Sequence, residues 1–149
     1  MGPKGFLYPA GSRNRNHARL DMAKKMPTTI LLVDDDPLIR VLGRELLEHL
    51  GYRVQVAGDG TEALKKYRQG RADLVVLDFY LPGQNGCQVL RQFKALDARA
   101  RVLVASGFFS SQEAASLKQE GALGLIYKPY RLMDLEHRIQ AVLAGRSGF

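Results

Sequence analysis

The chain has 149 residues, a single cysteine and a formal charge of +7, a length that suits one compact domain. Its composition, 46% hydrophobic and 25% charged, is that of an ordinary globular protein. The lone Cys87 excludes an internal disulfide, the Cys/His spacing excludes a zinc site, and no apolar run in the sequence is long enough to span a bilayer. The opening stretch lacks the apolar core of a secretion signal, so the expected location is the cytoplasm, with no membrane partner.

Residues 1–26 hold six of the 22 basic residues and one of the 15 acidic ones. They are rich in Gly, Pro, Asn and Arg without periodicity, which predicts a disordered basic tail or an upstream remnant, with Met22 and Met26 as alternative starts. The high pI therefore belongs to the tail, and the folded part is not expected to bind nucleic acid. The domain is expected over 27–145, with 146–149 as a C-terminal tail.

From Thr28 a short apolar, β-branched run to Val33 reads as a strand buried on both faces, and it stops abruptly at Asp34-Asp35-Asp36-Pro37. Asp36 and Pro37 fit the cap and first turn of a helix whose apolar residues recur through Leu50, with Gly51 as its stop. Tyr52–Ala57 reads as a second strand and Thr61–Gln69 as a second helix closed by Gly70. Asp59 and Glu62 there have the spacing of a capping box. Asp73–Asp78 is the third strand, Phe79–Asn85 a loop and Gly86 to Leu96 a helix. Arg101–Ser106 is the fourth strand, followed by a helix capped by Ser110 with Glu113 and ending at Gly121. Leu123–Tyr127 is the fifth strand and Leu132–Ala144 the last helix. Five strands alternating with five helices imply an α/β fold, a doubly wound parallel sheet covered on both faces. Right-handed crossovers bring the C-terminal strand ends to one rim, where ligands of such sheets bind.

That rim collects Asp34 and Asp35 from strand one, Asp78 from strand three, Ser106 from strand four and Lys128 just past strand five. Two carboxylates about 6 Å apart at an effective dielectric of about 20 repel by roughly 3 kcal/mol. Three gathered acids therefore imply a cation, and Mg²⁺ favours carboxylates together with water and phosphoryl oxygen. Lys128 completes the charge balance, and Ser106 is placed to donate to a phosphoryl oxygen.

Val33-Asp34-Asp35, Leu77-Asp78 with Leu81-Pro82 and Gly86, Val104-Ala105-Ser106-Gly107, and Lys128-Pro129 together resemble the response-regulator receiver domain of two-component signalling. The resemblance covers about Thr28 to Ala144 and is nearest to the single-domain chemotaxis regulators. It implies a flavodoxin-like (βα)5 sheet of strand order 2-1-3-4-5. It also implies a phosphoacceptor signalling domain rather than an enzyme. Asp78 would take a phosphoryl group from a sensor histidine kinase or a phosphotransfer protein. Asp35 and Asp78 would ligate Mg²⁺ directly, Asp34 partly through water, and the Tyr80 backbone carbonyl would add a ligand. Ser106, Lys128 and the Phe79 N–H would bind phosphoryl oxygens, and Lys128-Pro129 would be cis. A downstream protein would dock on the face of the fourth helix, fifth strand and fifth helix, which is also the candidate face for a homodimer.

The family usually places an aromatic residue on strand five where this chain has Leu125. Tyr127 lies two residues on, sharing Leu125's face. Activation through another side chain, or through the loop after Ser106, is the expectation. Tyr80 and Phe108, each two residues past a site residue, are expected to shield the acyl phosphate and slow its hydrolysis. Cys87 reads as a packing residue, and His17, His49 and His137 carry no assigned role. Phe108-Phe109 is a candidate docking surface.

Two rival readings remain. Asp34-x-Asp36 after an apolar strand also resembles haloacid dehalogenase-like phosphatases, with Asp34 as nucleophile and Asp36 as acid-base group. That reading leaves Asp78 idle. The other is a receiver-like docking module that works without phosphorylation.

Overall fold

A computed structural model describes residues 27–149. The expectation for residues 1–26 lies outside the described residues. The elements in order are β1 (Thr29–Val33), α1 (Pro37–His49), β2 (Arg53–Ala57), α2 (Gly60–Gln69) and β3 (Leu74–Asp78). They continue with α3 (Gly86–Leu96), β4 (Val102–Ser106), α4 (Ser111–Gln119), β5 (Gly124–Tyr127) and α5 (Leu132–Leu143). The five strands form one parallel sheet in the order β2-β1-β3-β4-β5, as expected.

The strands read as continuous apolar runs because both sheet faces are covered. Leu31, Val33, Val75, Leu77, Val102 and Val104 pack with α2, α3 and α4 through Tyr67, Phe93 and Leu117. The alternate residues Ile30, Leu32, Leu74, Val76 and Leu103 pack with α1 and α5 through Leu47, Leu135 and Ile139. Burial on both faces removes the side chains of the central strands β1, β3 and β4 from water except at the strand ends, so the polar groups of these strands collect at the rim.

The helix boundaries follow local chemistry. Asp36 caps α1, its Oδ1 accepting from Leu38 N at 2.9 Å, with Pro37 in the first turn. Ser110 and Glu113 form the expected reciprocal box on α4. At α2 the outcome differs: Asp59 accepts from Glu62 N at 2.7 Å, but the Glu62 carboxylate reaches Gly58 N, one residue before the cap. Asn85 and Gln88 form a reciprocal box on α3 that the sequence reading missed, although its spacing is the amide version of the same signal. Three helices end in the same pair of bonds, from the glycine to the residue three before it and from the next residue to the one five before it. These are Gly51 and Tyr52, Gly121 and Ala122, and Gly145 and Arg146. All three glycines have positive φ, the Schellman stop that favours glycine. Gly70 ends α2 without it, in extended backbone at φ −161°.

The expected loop Phe79–Asn85 contains a two-residue antiparallel ladder, Tyr80–Leu81 with Gln84–Asn85, turned by Pro82 and Gly83 at φ +75°. The ladder folds this segment back so that Gly86 N donates to Phe79 O at 2.6 Å. Gly86 has no room for a side chain: a Cβ there would lie 2.9 Å from the Phe79 Cα. The loop that follows β3 is thus closed on itself directly beside Asp78.

Candidate phosphoacceptor site

The rim formed by the ends of β1, β3, β4 and β5 holds the residues singled out from the sequence. Oxygen atoms of Asp34, Asp35 and Asp78 all lie within 4.8 Å of one another. Asp34 and Asp78 are buried, at 1% and 5% exposure, whereas Asp35 is exposed. The Lys128 ammonium sits between the two buried acids, 2.5 Å from Asp34 Oδ2 and 3.2 Å from Asp78 Oδ1. The Lys128-Pro129 bond is cis.

Each acid has a distinct second role. Asp34 Oδ1 accepts from Asp36 N at 2.9 Å, and its backbone carbonyl accepts from Arg40 Nη1 at 2.7 Å. Asp34 is therefore held from two sides and points one oxygen at Lys128. Asp78 accepts only a long 3.4 Å bond from Tyr80 N besides the ammonium, so one of its oxygens is uncommitted. Burial pushes the Asp78 carboxyl above its ordinary range; Lys128 opposes this and the neighbouring Asp34 charge adds to it. Burial by itself would lower the Lys128 ammonium, but its bond to Asp34 and the charges of Asp78 and Asp34 outweigh that and hold it above its ordinary value.

Ser106, buried at 3% exposure, donates from Oγ to Phe108 O at 3.0 Å and accepts from Phe108 N at 3.4 Å. Its hydroxyl is thus folded onto its own loop. The Phe79 N–H, expected among the phosphoryl donors, donates instead to Ala105 O at 2.9 Å. It continues the β3–β4 ladder, and an amide committed there has no second hydrogen to offer. The neighbouring Tyr80 N–H faces the Asp78 carboxylate. Asp36, the acid-base group of the phosphatase alternative, spends its carboxylate on the α1 cap.

Aromatic rings on the segments that follow β3 and β4 meet one another and the end of β5 in edge-to-face contacts. Tyr80 lies 4.8 Å from Phe79, Phe79 5.9 Å from Phe109, and Phe109 5.5 Å from Tyr127, between centroids. The Phe108-Phe109 pair is split: Phe108 is exposed at 70% and Phe109 is buried at 7%. Phe109 therefore belongs to the interior and only Phe108 remains a surface feature. Leu125 is buried on the same sheet face as Tyr127, as the alternation required, while Tyr127 is half-exposed.

One residue escaped the sequence reading. Tyr130 is buried, packs against α1 near Gly43, and its hydroxyl has no hydrogen-bond partner. Burial, then the charges of Asp34 and Asp78, push that phenol far above its ordinary value. Its position two residues past Lys128 was the available signal. Cys87 is half-buried against the core, and burial raises its thiol, in keeping with a packing role. Among the described residues no helix is long and apolar enough to cross a membrane.

Residues 30–140 match the response regulator receiver domain, and the chain belongs to that family. It is 37% identical over 122 residues to the response regulator MprA of Mycobacterium sp. (strain KMS), covering 82% of this chain and 53% of that protein. It is 31% identical to the sporulation initiation phosphotransferase F of Bacillus subtilis (strain 168), covering 82% of this chain and 98% of that one. The structure resembles the CheX-CheY-BeF3-Mg+2 complex from Borrelia burgdorferi with a TM-score of 0.74, at 28% identity, over 78% of this chain and 89% of that one. The chain spans about half the length of the mycobacterial regulators it matches. Its role is that of a phosphorelay receiver in two-component signalling.

Proposed function

We infer that Asp78 is the phosphoacceptor and that Asp34, Asp35, Asp78 and the Tyr80 carbonyl hold the Mg²⁺ that the reaction needs. The observation that carries this is the meeting of three carboxylates within 4.8 Å around an acceptor with one uncommitted oxygen. Hard oxygen donors at this density suit Mg²⁺, and Lys128 stands where positive charge is required. The bound ion would neutralise charge on the transferring group. An Asp78 oxygen attacks the phosphorus of a phosphohistidine on a histidine kinase or phosphotransfer protein. The P–N bond breaks and the imidazole leaves. Lys128, Ser106 and the Tyr80 N–H then lie within reach of the phosphoryl oxygens, taking the place first expected of Phe79. Labelling by acetyl phosphate that requires Mg²⁺ and maps to Asp78 by borohydride trapping tests the reading. Labelling at Asp34 instead would support the phosphatase alternative, and no labelling would leave the docking module.

The rings give the signal a route out that does not need an aromatic residue at Leu125. A Ser106 hydroxyl that turns to a phosphoryl oxygen gives up its bond to Phe108 O. The loop carrying Phe109 is then freed, and Phe109 touches Tyr127 on the edge strand. The sequence has no tryptophan, so Tyr127→Trp provides a single reporter. Its emission is expected to change when beryllofluoride and Mg²⁺ are added, and Phe109→Leu is expected to suppress the change. An equal response with Leu at 109 would remove Phe109 from the route.

Tyr80 follows Asp78 by two residues, its ring edge-on to Phe79 and its hydroxyl 3.4 Å from Glu113 Oε2. Such a ring restricts the line of attack for water. Tyr80→Asn is expected to speed loss of phosphate about tenfold, equal to roughly 1.4 kcal/mol of barrier. The half-life of the labelled protein measures it; an unchanged half-life removes Tyr80 as a shield.

A further inference from the structure

The sheet ends at β5, and a strand at a sheet edge offers backbone groups to any extended segment that meets it. In this chain the segment after α5 turns back and takes that place. Gly145 at φ +81° reverses the direction, and Arg146 N donates to Ala141 O at 2.7 Å. The segment then runs beside β5. Gly148 N donates to Leu123 O at 2.8 Å, and Leu125 N donates to Gly148 O at 3.1 Å. Gly148 and Gly124 form a parallel bridge.

The fit has no spare room. A Cβ on Gly124 would overlap the Gly148 backbone, and a Cβ on Gly148 would lie 2.9 Å from Val142 Cγ2 and 3.1 Å from Leu123 O. Both flanking helices contribute a cation. Arg138 of α5 donates to Gly148 O at 2.6 Å, and Lys118 Nζ of α4 lies 5.6 Å from the centroid of the Phe149 ring. Residues 146–149, set apart from the domain in the sequence reading, are thus joined to the sheet by reciprocal backbone bonds.

We propose that residues 146–149 are an intramolecular edge cap, seated on β5 where an extended segment of a second copy would otherwise pair. The cap satisfies the Leu125 N–H and the Leu123 carbonyl within the chain. The paired glycines let two backbones approach closely enough for those bonds, so the capping depends on the absence of a side chain at 148. Displacing the cap leaves both groups open at the edge of the sheet, along the strand that ends in Tyr127. The inference does not depend on the phosphoacceptor reading.

The test uses the full chain with Gly148→Val, which cannot seat, and with Arg138→Ala, which keeps the backbone fit but removes the helix contact. Amide hydrogen exchange at Leu125 and sedimentation at about 100 µM protein are the readouts. The original chain is expected to be monomeric with a protected Leu125 amide. Gly148→Val is expected to exchange there at least about tenfold faster and to dimerise, with Arg138→Ala intermediate. Should Gly148→Val lose the fold, Arg138→Ala alone decides by the same two readouts. Unchanged exchange at Leu125, variants that stay monomeric, or an original chain that dimerises as strongly would overturn the proposal.

Discussion

Asp78→Asn is expected to abolish Mg²⁺-dependent labelling by acetyl phosphate, a loss of at least about 10³-fold and so of roughly 4 kcal/mol. The amide keeps the shape and the approach of Tyr80 N but removes the nucleophilic oxygen pair. Asp34, 2.5 Å from Lys128, does not replace it, because the ammonium and the Asp36 N–H already occupy its oxygens. Residual labelling above a few per cent of the original would place the acceptor elsewhere. The same variant carries a second, opposite effect on stability. Burial raises the folded Asp78 carboxyl above its ordinary 3.8, so the folded chain holds that proton more tightly than the unfolded one. Its contribution favours the fold fully below about pH 3.8 and is lost as pH rises through the folded value. At neutral pH without metal the ionised group is a net cost, and Asp78→Asn is expected to melt higher than the original chain. The gap should close on acidification. A variant that melts lower at pH 7 in chelator would contradict this.

Lys128→Met is expected to act in the reverse sense. It leaves Asp34 and Asp78 buried beside one another with no counter-charge. Removing one partner of a fully buried pair costs about 3–5 kcal/mol. Lys128 is one-fifth exposed, so screening reduces this to about 2 kcal/mol. For a domain of this size that is a fall in melting temperature on the order of 8 °C. The advantage of lysine is present below its ordinary 10.5 and fades as pH rises through its higher folded value, so the difference should shrink in strongly alkaline buffer. Mg²⁺ is expected to offset most of the loss, since a ligand at about 100 times its dissociation constant stabilises by about 2.7 kcal/mol. Its stabilising shift should therefore be larger in Lys128→Met than in the original chain. Calorimetry with and without Mg²⁺ reads both. Equal metal shifts would show that the ammonium and the ion do not share a charge-balancing role.

These two substitutions act on residues that the sequence identifies by position. Apolar β-branched runs that stop at Asp34 and Asp78 announce strands entering a rim, because only burial on both faces sustains such runs and only an end tolerates the acid. The strand order followed from the family resemblance. Element ends moved by a residue or so, as with Thr28 and Tyr52 falling outside their strands. The ladder inside Phe79–Asn85 was missed because two-residue strands carry no periodicity to read. The Phe79 amide was misassigned for a related reason. Which neighbour an N–H meets depends on register across strands, and register is not a property of one segment.

What the chain by itself determined is the alternation of strands and helices, the rim acids and the lysine that opposes them. These depend on local pattern: runs of apolar residues, caps three residues apart, glycines after the last turn. Only the tertiary structure decided which charges touch, that the Phe109 ring meets both Phe79 and Tyr127, and that Gly148 closes the edge of β5. Each of these is a contact between segments distant in sequence or separated by a turn. Their partners are chosen by packing, which acts on shape and distance after the elements have formed.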